Sequence, residues 1–369
     1  MLSQFCFSLI AAGIGLVPLL RAGPAPANTA PQISAPVMHE NIAVYFVHGA
    51  SVPGPVPATL QEALAKGAVE VFETGNVQEL QIENKGNEPV FVQFGDLVKG
   101  GRQDRVLTVS LVLPPKSGRV PIGSYCVEQG RWAARGVEDA KKFSMSEMLM
   151  PSREAKVAMA KPATKPASPA SGAMFVERGA AADQRQRPLV SQQRTTESAN
   201  GQSEVWRSVG DVQSKLAERL AASVASEASH TSLQLSLEND KLKQAVASYV
   251  QVLEPAGLKG EDIVGVAIAI NGRISSADVY PSNGLFRKMW PKLVRAGVTE
   301  ALASAGTEKA QAPAADAVGA FLAEAEKGKQ SELELGTHAK LETRDADKAL
   351  RMEAKSAAGA FVHRNYLAK

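Results

Sequence analysis

The segment from Gly95 to Arg105 has the residue types of a small anion-binding loop. It reads GDLVKGGRQDR, with three glycines and three cations in eleven residues. Glycine permits backbone turns at positive φ that expose amide N–H groups, and arginine binds phosphate and carboxylate groups. The spacing matches neither a Walker loop nor a dinucleotide-binding glycine motif. The segment therefore predicts either an anion site or a glycine-rich turn in which Asp96 or Asp104 pairs with an arginine.

A second segment, SYCVEQGRW, ends at Trp132 and combines a thiol, a carboxylate, a guanidinium and an indole. On a strand, Cys126 and Glu128 would point to the same face. The carboxylate would raise the pKa of the thiol, so Cys126 is either a nucleophile activated by a nearby cation or a small buried hydrophobic residue. We expect Glu128 to pair with Arg105 or Arg102, as a buried structural ion pair or as the general base of a site.

The remaining reactive side chains form no recognisable motif. The five histidines lack metal-binding spacing, and two cysteines are too few for a disulfide framework or a Cys-built zinc module. No nucleophile elbow or paired-carboxylate motif occurs. We predict no metal and no cofactor. His363 is expected to pack and form hydrogen bonds, with an approach to Glu128 as the alternative, and Asp278 to be an ordinary turn residue.

Short strands and turns must position the two segments. In the first part of the chain, Thr59 and Glu62 form a capping box for a short helix. The alternation of residues 106–113 predicts one strand with a buried face. The other predicted strands of this part are residues 42–49, 69–74, 79–83, 89–94 and 120–128. Because strands outnumber any alternation of strand and helix, we predict an α+β fold.

The second part of the chain is predicted to be rich in helices. Apolar residues at helical spacing predict helices over 205–222, 233–253, 282–303 and 319–325. Two buried strands flank Asn271-Gly272, which predicts a hairpin. Further strands are predicted over 332–343 and 361–367. We assign residues 41–150 to a β-rich part and residues 204–369 to a helix-rich part of the same domain.

Residues 151–203 separate these two parts. The tract KPATKPASPASG and the polar, aperiodic stretch that follows it predict a disordered insert. Residues 28–40 are predicted to form an extended leader.

The first 27 residues have the pattern of a signal peptide. An uncharged apolar run from Phe5 to Leu20 is too short for an ordinary membrane span, and Ala25-Pro26-Ala27 resembles a cleavage site. We therefore expect a periplasmic or secreted protein with no stable membrane span after cleavage; an uncleaved N-terminal anchor is the alternative. The net charge of +3 argues against a dedicated nucleic-acid-binding protein.

Both chemistry-bearing segments resemble the bacterial and archaeal family of domains associated with ADP-ribosylglycohydrolases and rhodanese-phosphatase proteins. The similar motif residues are Gly95, Asp96, Gly100, Gly101, Arg102, Gln103, Asp104 and Arg105, followed by Cys126, Val127, Glu128, Gly130, Arg131 and Trp132. The resemblance extends over most of residues 41–367 and skips the predicted insert. It implies no established reaction; the association in the family name suggests a role near ADP-ribose or nucleotide-derived metabolism.

Two functions follow from these patterns. The first is a site for an anionic small molecule, such as a nucleotide-derived or sugar-phosphate compound. The site either hydrolyses this molecule or only binds it. The expected ligand-binding residues are Gly95, Asp96, Gly100, Gly101, Arg102, Gln103, Arg105, Arg131 and Trp132, with Glu128 and Cys126 as the catalytic candidates. The second is a non-enzymatic structural or interaction protein of the cell envelope, in which residues 151–203 reach a partner.

Overall fold

The computed structural model describes residues 31–160, 189–304 and 311–369, with the backbone alone for residues 189–200. The predicted signal peptide lies outside these residues. The described fold is α+β, as predicted, with mostly antiparallel sheets. The strands are β1 (Gln32–Ile33), β2 (Val37–His39), β3 (Ile42–His48), β4 (Ala58–Thr59), β5 (Val69–Asn76), β6 (Glu79–Asn84), β7 (Val90–Val92), β8 (Asp96–Gly100), β9 (Arg105–Leu107), β10 (Leu111–Leu113), β11 (Arg119–Cys126), β12 (Phe143–Leu149), β13 (Ile263–Ile270), β14 (Arg273–Val279), β15 (Lys329–Leu335), β16 (Ala339–Asp345), β17 (Ala349–Ser356) and β18 (Phe361–Ala368). The helices are α1 (Leu60–Ala65), α2 (Arg153–Ala160), α3 (Leu189–Leu220), α4 (Leu233–Leu237), α5 (Asp240–Gly257), α6 (Asn283–Ala303) and α7 (Ala315–Ala325).

A nine-stranded antiparallel sheet forms one half of the core. Its order is β1-β3-β13-β14-β18-β17-β16-β15, with β2 also paired to β3. Strand β13 is buried along its whole length because both faces of the sheet are covered. Large side chains such as Ile268 cluster with those of α6, and small ones such as Ala267 cluster with those of α7. The predicted hairpin is confirmed: Asn271 and Gly272 have φ values of 50° and 72°, as a two-residue turn of type I′ requires.

Six further strands form a small closed ring. Their order is β12-β8-β9-β11-β6-β5. Phe72 of β5 pairs with Lys142, just before β12, and the N–H of Glu73 donates to the carbonyl of Lys141 at 2.9 Å, so the two ends of the sheet meet. Apolar side chains from these strands fill the interior of the ring. The segment GDLVKGGRQDR is the β8–β9 hairpin of this ring.

Residues 106–113 are divided between two sheets. The predicted alternation is correct, because the four apolar residues of the expected face are buried in one cluster. The single strand is wrong: β9 pairs with β11, whereas β10 pairs with β7 in a separate three-stranded sheet. Between them, the hydroxyl of Ser110 accepts the N–H of Phe94 at 2.8 Å, which turns the chain out of the ring. The predicted elements over 233–253 and 332–343 are likewise each divided in two, as α4 and α5 and as β15 and β16.

Part of the predicted insert is folded. Residues 153–160 form α2, which buries Ala155, Ala158 and Met159 at helical spacing against the core. The backbone is helical again from Leu189, and the side chain of Gln202 is buried. The prediction of disorder is therefore wrong for residues 153–160, because three apolar residues at helical spacing suffice to anchor them. Residues 161–188 lie outside the described residues. The helix-rich part also contains six of the described strands.

Candidate functional site

The β8–β9 hairpin and the loop after β11 bring most of the predicted site residues together. Gly101 has a φ of 56°, and a Cβ atom there would lie 2.3 Å from the ring of Phe143, so both the backbone and the close approach require glycine. Gly100 has a φ of 119°. The tight turn that results presents Gln103, Asp104 and the following arginine to the loop after β11.

Glu128 lies at the centre of this cluster and binds arginines from its own loop. Arg131 donates to both carboxylate oxygens, at 2.7 and 2.6 Å, and Arg135 lies 3.4 Å away. The predicted pairing with Arg105 or Arg102 is wrong. Burial works to raise the pKa of Glu128, but hydrogen bonds from Arg131, Ser229 and the backbone outweigh it and leave the pKa below its ordinary value. A carboxylate held in this way is a poor general base.

Asp104 completes the same cluster. Arg135 donates to its two carboxylate oxygens at 3.0 and 3.1 Å, and the hydroxyl of Ser232 donates at 2.6 Å. The backbone N–H of Gly100 adds a fourth hydrogen bond at 2.9 Å. Arg135 and Ser232 were not predicted as site residues, since they lie outside both motifs and only the fold brings them in.

Arg105 pairs with a carboxylate that the sequence did not indicate. Its Nη2 atom lies 3.1 Å from Oε2 of Glu73 on β5, and the two side chains are 0% and 3% exposed. Its Nη1 atom donates to the carbonyl of Gln103, whose amide donates in turn to the carbonyl of Glu128 at 2.7 Å. Together these groups form what we term the charged network: Glu73, Gln103, Asp104, Arg105, Glu128, Arg131 and Arg135. The network is closed, because most of its polar atoms bind one another.

Cys126 lies next to the charged network, and its thiol is buried. Its side chain is buried, and burial raises its pKa to about 11 despite the nearby charge of Arg105. Its backbone N–H and carbonyl both bind the side chain of Gln202, at 2.9 and 2.8 Å. This geometry favours a buried hydrophobic role over a nucleophile.

Gly95 and Asp96 do not join the charged network. The carboxylate of Asp96 pairs with Lys292 of α6 at 2.5 Å and accepts the N–H of Gln93 at 2.8 Å. Both side chains of this ion pair are almost fully buried. This ion pair connects the β8–β9 hairpin to helix α6. Both carboxylate oxygens of Asp96 are therefore occupied and do not bind the motif arginines.

Arg102 and Trp132 are the accessible remainder of the motifs. Trp132 is 40% exposed, and its ring centroid lies 5.3 Å from the guanidinium carbon of Arg102 and 5.7 Å from that of Arg105. Within the part of the chain that the structure describes, the Arg102 side chain forms no ion pair. The Nε atom of Arg105 is buried without a hydrogen-bond partner. We term the side chains of Arg102 and Trp132 the Arg102–Trp132 surface.

A second polar cluster joins the segment between β9 and β10 to strands β14 and β18 of the nine-stranded sheet. The hydroxyl of Ser110 lies 2.9 Å from Nδ1 of His363, and Nε2 of the same ring lies 3.1 Å from the carboxylate of Asp278. All three side chains are buried. His363 therefore packs and forms hydrogen bonds as predicted, and it does not pair with Glu128. The prediction for Asp278 is wrong, since it is a buried acceptor that also binds Asn365 at 2.9 Å.

The described residues contain no group of three metal-ligating side chains and no helix long and apolar enough to cross a membrane. Comparison with protein families matches residues 30–367 to the ARG and Rhodanese-Phosphatase-superfamily-associated Protein domain. The match covers nearly the whole chain, so the protein belongs to this family. Comparison with curated proteins and with solved structures finds no match.

Proposed function

We propose that this protein binds a small phosphate-bearing molecule with a planar ring, without transforming it, at the Arg102–Trp132 surface. The observation that carries the proposal is the free guanidinium of Arg102. Arg105, Arg131 and Arg135 are each neutralised by carboxylates at 3.1 Å or less, whereas Arg102 has no such partner among the described residues. Arginine binds phosphate through paired hydrogen bonds, and the adjacent indole offers a stacking face.

The charge balance indicates that both contacts are needed. Four arginines, Arg102 and the three of the charged network, face four carboxylates, those of Glu73, Asp104, Glu128 and Glu138. The region is thus formally neutral, and it has no excess positive charge to attract an anion over distance. A ligand with a ring for Trp132 and a phosphate for Arg102 gains from both, which favours nucleotide-derived compounds over sugar phosphates.

Binding of adenosine monophosphate, measured by thermal shift and titration calorimetry, tests this function. Adenosine and glucose 6-phosphate each supply one of the two contacts and should bind more weakly. Arg102→Gln and Trp132→Leu should each reduce affinity about tenfold, the value of one charged hydrogen bond or one ring contact. Arg119→Gln is the matched control, since Arg119 is also exposed and lies 4.1 Å from the Phe72 ring. Unchanged affinity in both site variants, or no binding by wild type, would refute the proposal.

Hydrolysis is a second candidate, favoured by the hydrogen-bonded chain of Ser110, His363 and Asp278. Such a chain can remove a proton from a serine hydroxyl. The two cavities beside it have volumes of about 20 and 10 Å³, room for about one water molecule each. A substrate would therefore reach the hydroxyl of Ser110 only if the strands around it separated. A fluorophosphonate probe tests this candidate: labelling that Ser110→Ala abolishes would support it, and absence of labelling would count against it.

We also propose that the protein is exported. The family match begins at residue 30, three residues beyond the predicted cleavage site, so the predicted signal peptide lies outside the family domain. Mass spectrometry of the N-terminus of the expressed full chain tests the proposal, and the expected start is Asn28. A mature chain that starts at Met1 in a membrane fraction would instead support the uncleaved anchor.

An interaction role in the cell envelope is the alternative to ligand binding, with residues 161–188 as the part of the predicted insert left for a partner. Deletion of residues 161–188 distinguishes the two. A small-molecule-binding protein keeps its affinity for adenosine monophosphate after the deletion, whereas an envelope protein loses its association with the cell-wall or membrane fraction.

A further inference from the structure

A cavity of about 540 Å³ lies between β12 and helices α4, α5 and α6, away from the motifs. This volume falls within the range of about 300–1,000 Å³ typical of small-molecule sites. Its apolar wall comes from two elements that face each other, β12 and α5, with α4 beside them. The lining includes Met148, Leu237, Leu242, Val246, Val250 and Arg295.

Arg295 is the unusual member of this lining. It is half-buried on α6, and its guanidinium makes one long hydrogen bond, 3.5 Å, to the carbonyl of Pro291 in its own helix. In the described ranges of the chain, no carboxylate lies within 4 Å of it. A half-buried guanidinium without a carboxylate partner is costly in an apolar wall. An anionic group bound in the cavity would supply the missing partner.

Several other polar groups of the cavity wall already have hydrogen-bond partners. Glu238 is paired with Lys99 at 2.7 Å and accepts from Gln234 at 2.9 Å. The amide oxygen of Gln234 accepts in turn from Ser146, at 2.7 Å. The hydroxyl of Thr299 donates to the carbonyl of Arg295 at 2.8 Å. The half-buried guanidinium of Arg295 is therefore the group in the wall that we expect to bind a ligand's polar head.

The half-buried charge of the cavity wall is the positive charge of Arg295. Arg295 and Lys243 face Glu147 and Glu238 in the lining, and Lys99 neutralises Glu238 from outside it. Lys243 in turn lies 4.0 Å from the carboxylate of Asp240, so the charges in and around the lining balance. Glu147 and Lys243 are exposed, which leaves Arg295 as the half-buried cation of the lining.

We infer that this cavity binds an amphipathic carboxylate, with the carboxylate on Arg295 and the apolar body against α5 and β12. The site is separate from the Arg102–Trp132 surface and does not depend on it. An unbranched medium-chain carboxylate fits the chemistry of the wall, because seven lining residues, two of them methionines, are apolar and lie beside the guanidinium. Burial of the apolar body provides most of the affinity, and Arg295 selects for the charge.

Titration calorimetry of the full chain with decanoate, decanol and decyltrimethylammonium tests the inference. Decanoate should bind the most tightly of the three. Arg295→Gln should weaken decanoate about tenfold or more and leave decanol unchanged, since only the charged head loses a partner. Val246→Trp should weaken decanoate and decanol alike by filling the cavity. Arg287→Gln is the matched control, an exposed arginine of the same helix that does not line the cavity.

Three results would overturn the inference: no binding of decanoate by wild type, equal loss of decanoate and decanol in Arg295→Gln, or no effect of Val246→Trp. Circular dichroism of each variant shows whether it is folded. If Val246→Trp fails to fold, Leu242→Met, which changes the shape of the wall and conserves its polarity, replaces it. A change in the chain-length optimum between octanoate and dodecanoate is then the expected result, and an unchanged optimum counts against the cavity.

Discussion

The charged network and the cavity beside Arg295 differ in how their polar groups are satisfied. In the charged network, three arginines and their carboxylates bind one another at 3.1 Å or less with little exposure. In the cavity, a half-buried arginine faces about 540 Å³ of space, and no carboxylate of the described residues lies within 4 Å of it. We therefore expect the dense set of motif residues to stabilise the fold, and a ligand to bind where a polar group is left unpaired.

The largest expected effect comes from breaking the network at its buried pair. Glu73→Gln leaves the guanidinium of Arg105 buried without a carboxylate, which should lower the free energy of unfolding by about 3–5 kcal/mol. Urea denaturation measures this change. Glu88→Gln, an exposed glutamate without an ion pair in the described structure, is the control and should change stability by less than about 0.5 kcal/mol. If both variants behave alike, the network does not stabilise the fold.

Glu128 gives the network a pH dependence of known sign. Its folded pKa lies below the ordinary value of 4.5, so its contribution is fully present above about pH 4.5 and is lost as the pH falls through the folded pKa. Unfolding free energies measured between pH 3 and pH 7 should show this acid loss in wild type. Glu128→Gln should reduce stability at pH 7 by about 1–3 kcal/mol and flatten the acid side of the profile. An unaltered slope in that variant would contradict the assigned pairing.

Cys126 reports whether the network opens in the folded state. With a pKa of about 11, roughly one thiol in a thousand is ionised at pH 8, and the side chain is buried. Iodoacetamide should therefore leave Cys126 unmodified in native protein and modify it rapidly in urea, as peptide mass spectrometry can measure. Fast modification of the native protein would show that the charged network opens in the folded state. The contrast with the cavity would then not hold.

The smallest expected effect falls on the other side of the comparison. Arg295→Gln removes no ion pair, so the free energy of unfolding should change by less than about 0.5 kcal/mol. Thermal denaturation of this variant beside Glu73→Gln gives the contrast directly. A loss as large as that of Glu73→Gln would mean that Arg295 is structural and that the two regions do not differ.

The local parts of the fold could be predicted from the sequence because their signals lie within a few residues. Thr59 and Glu62 form the predicted capping box, and Asn271-Gly272 forms the predicted turn. Most residues of the two motifs also meet in one cluster, although Gly95 and Asp96 do not join it. The partners of that cluster could not be predicted. Glu73 and Ser232 lie far along the chain from the arginine and the aspartate that they bind, and neither belongs to a pattern.

The sequence by itself therefore determined the α+β class, the family and the position of the motif residues, because strand alternation, caps, turns and motif spacing are local properties. The tertiary structure decided which carboxylate meets which arginine, because a closed ring of strands brings Glu73 beside Arg105. It also brought Gln202, a helical residue of the predicted insert, into hydrogen bonding with the backbone of Cys126. It also decided that Arg295 faces a cavity, since a cavity is formed by elements that meet only in the folded chain.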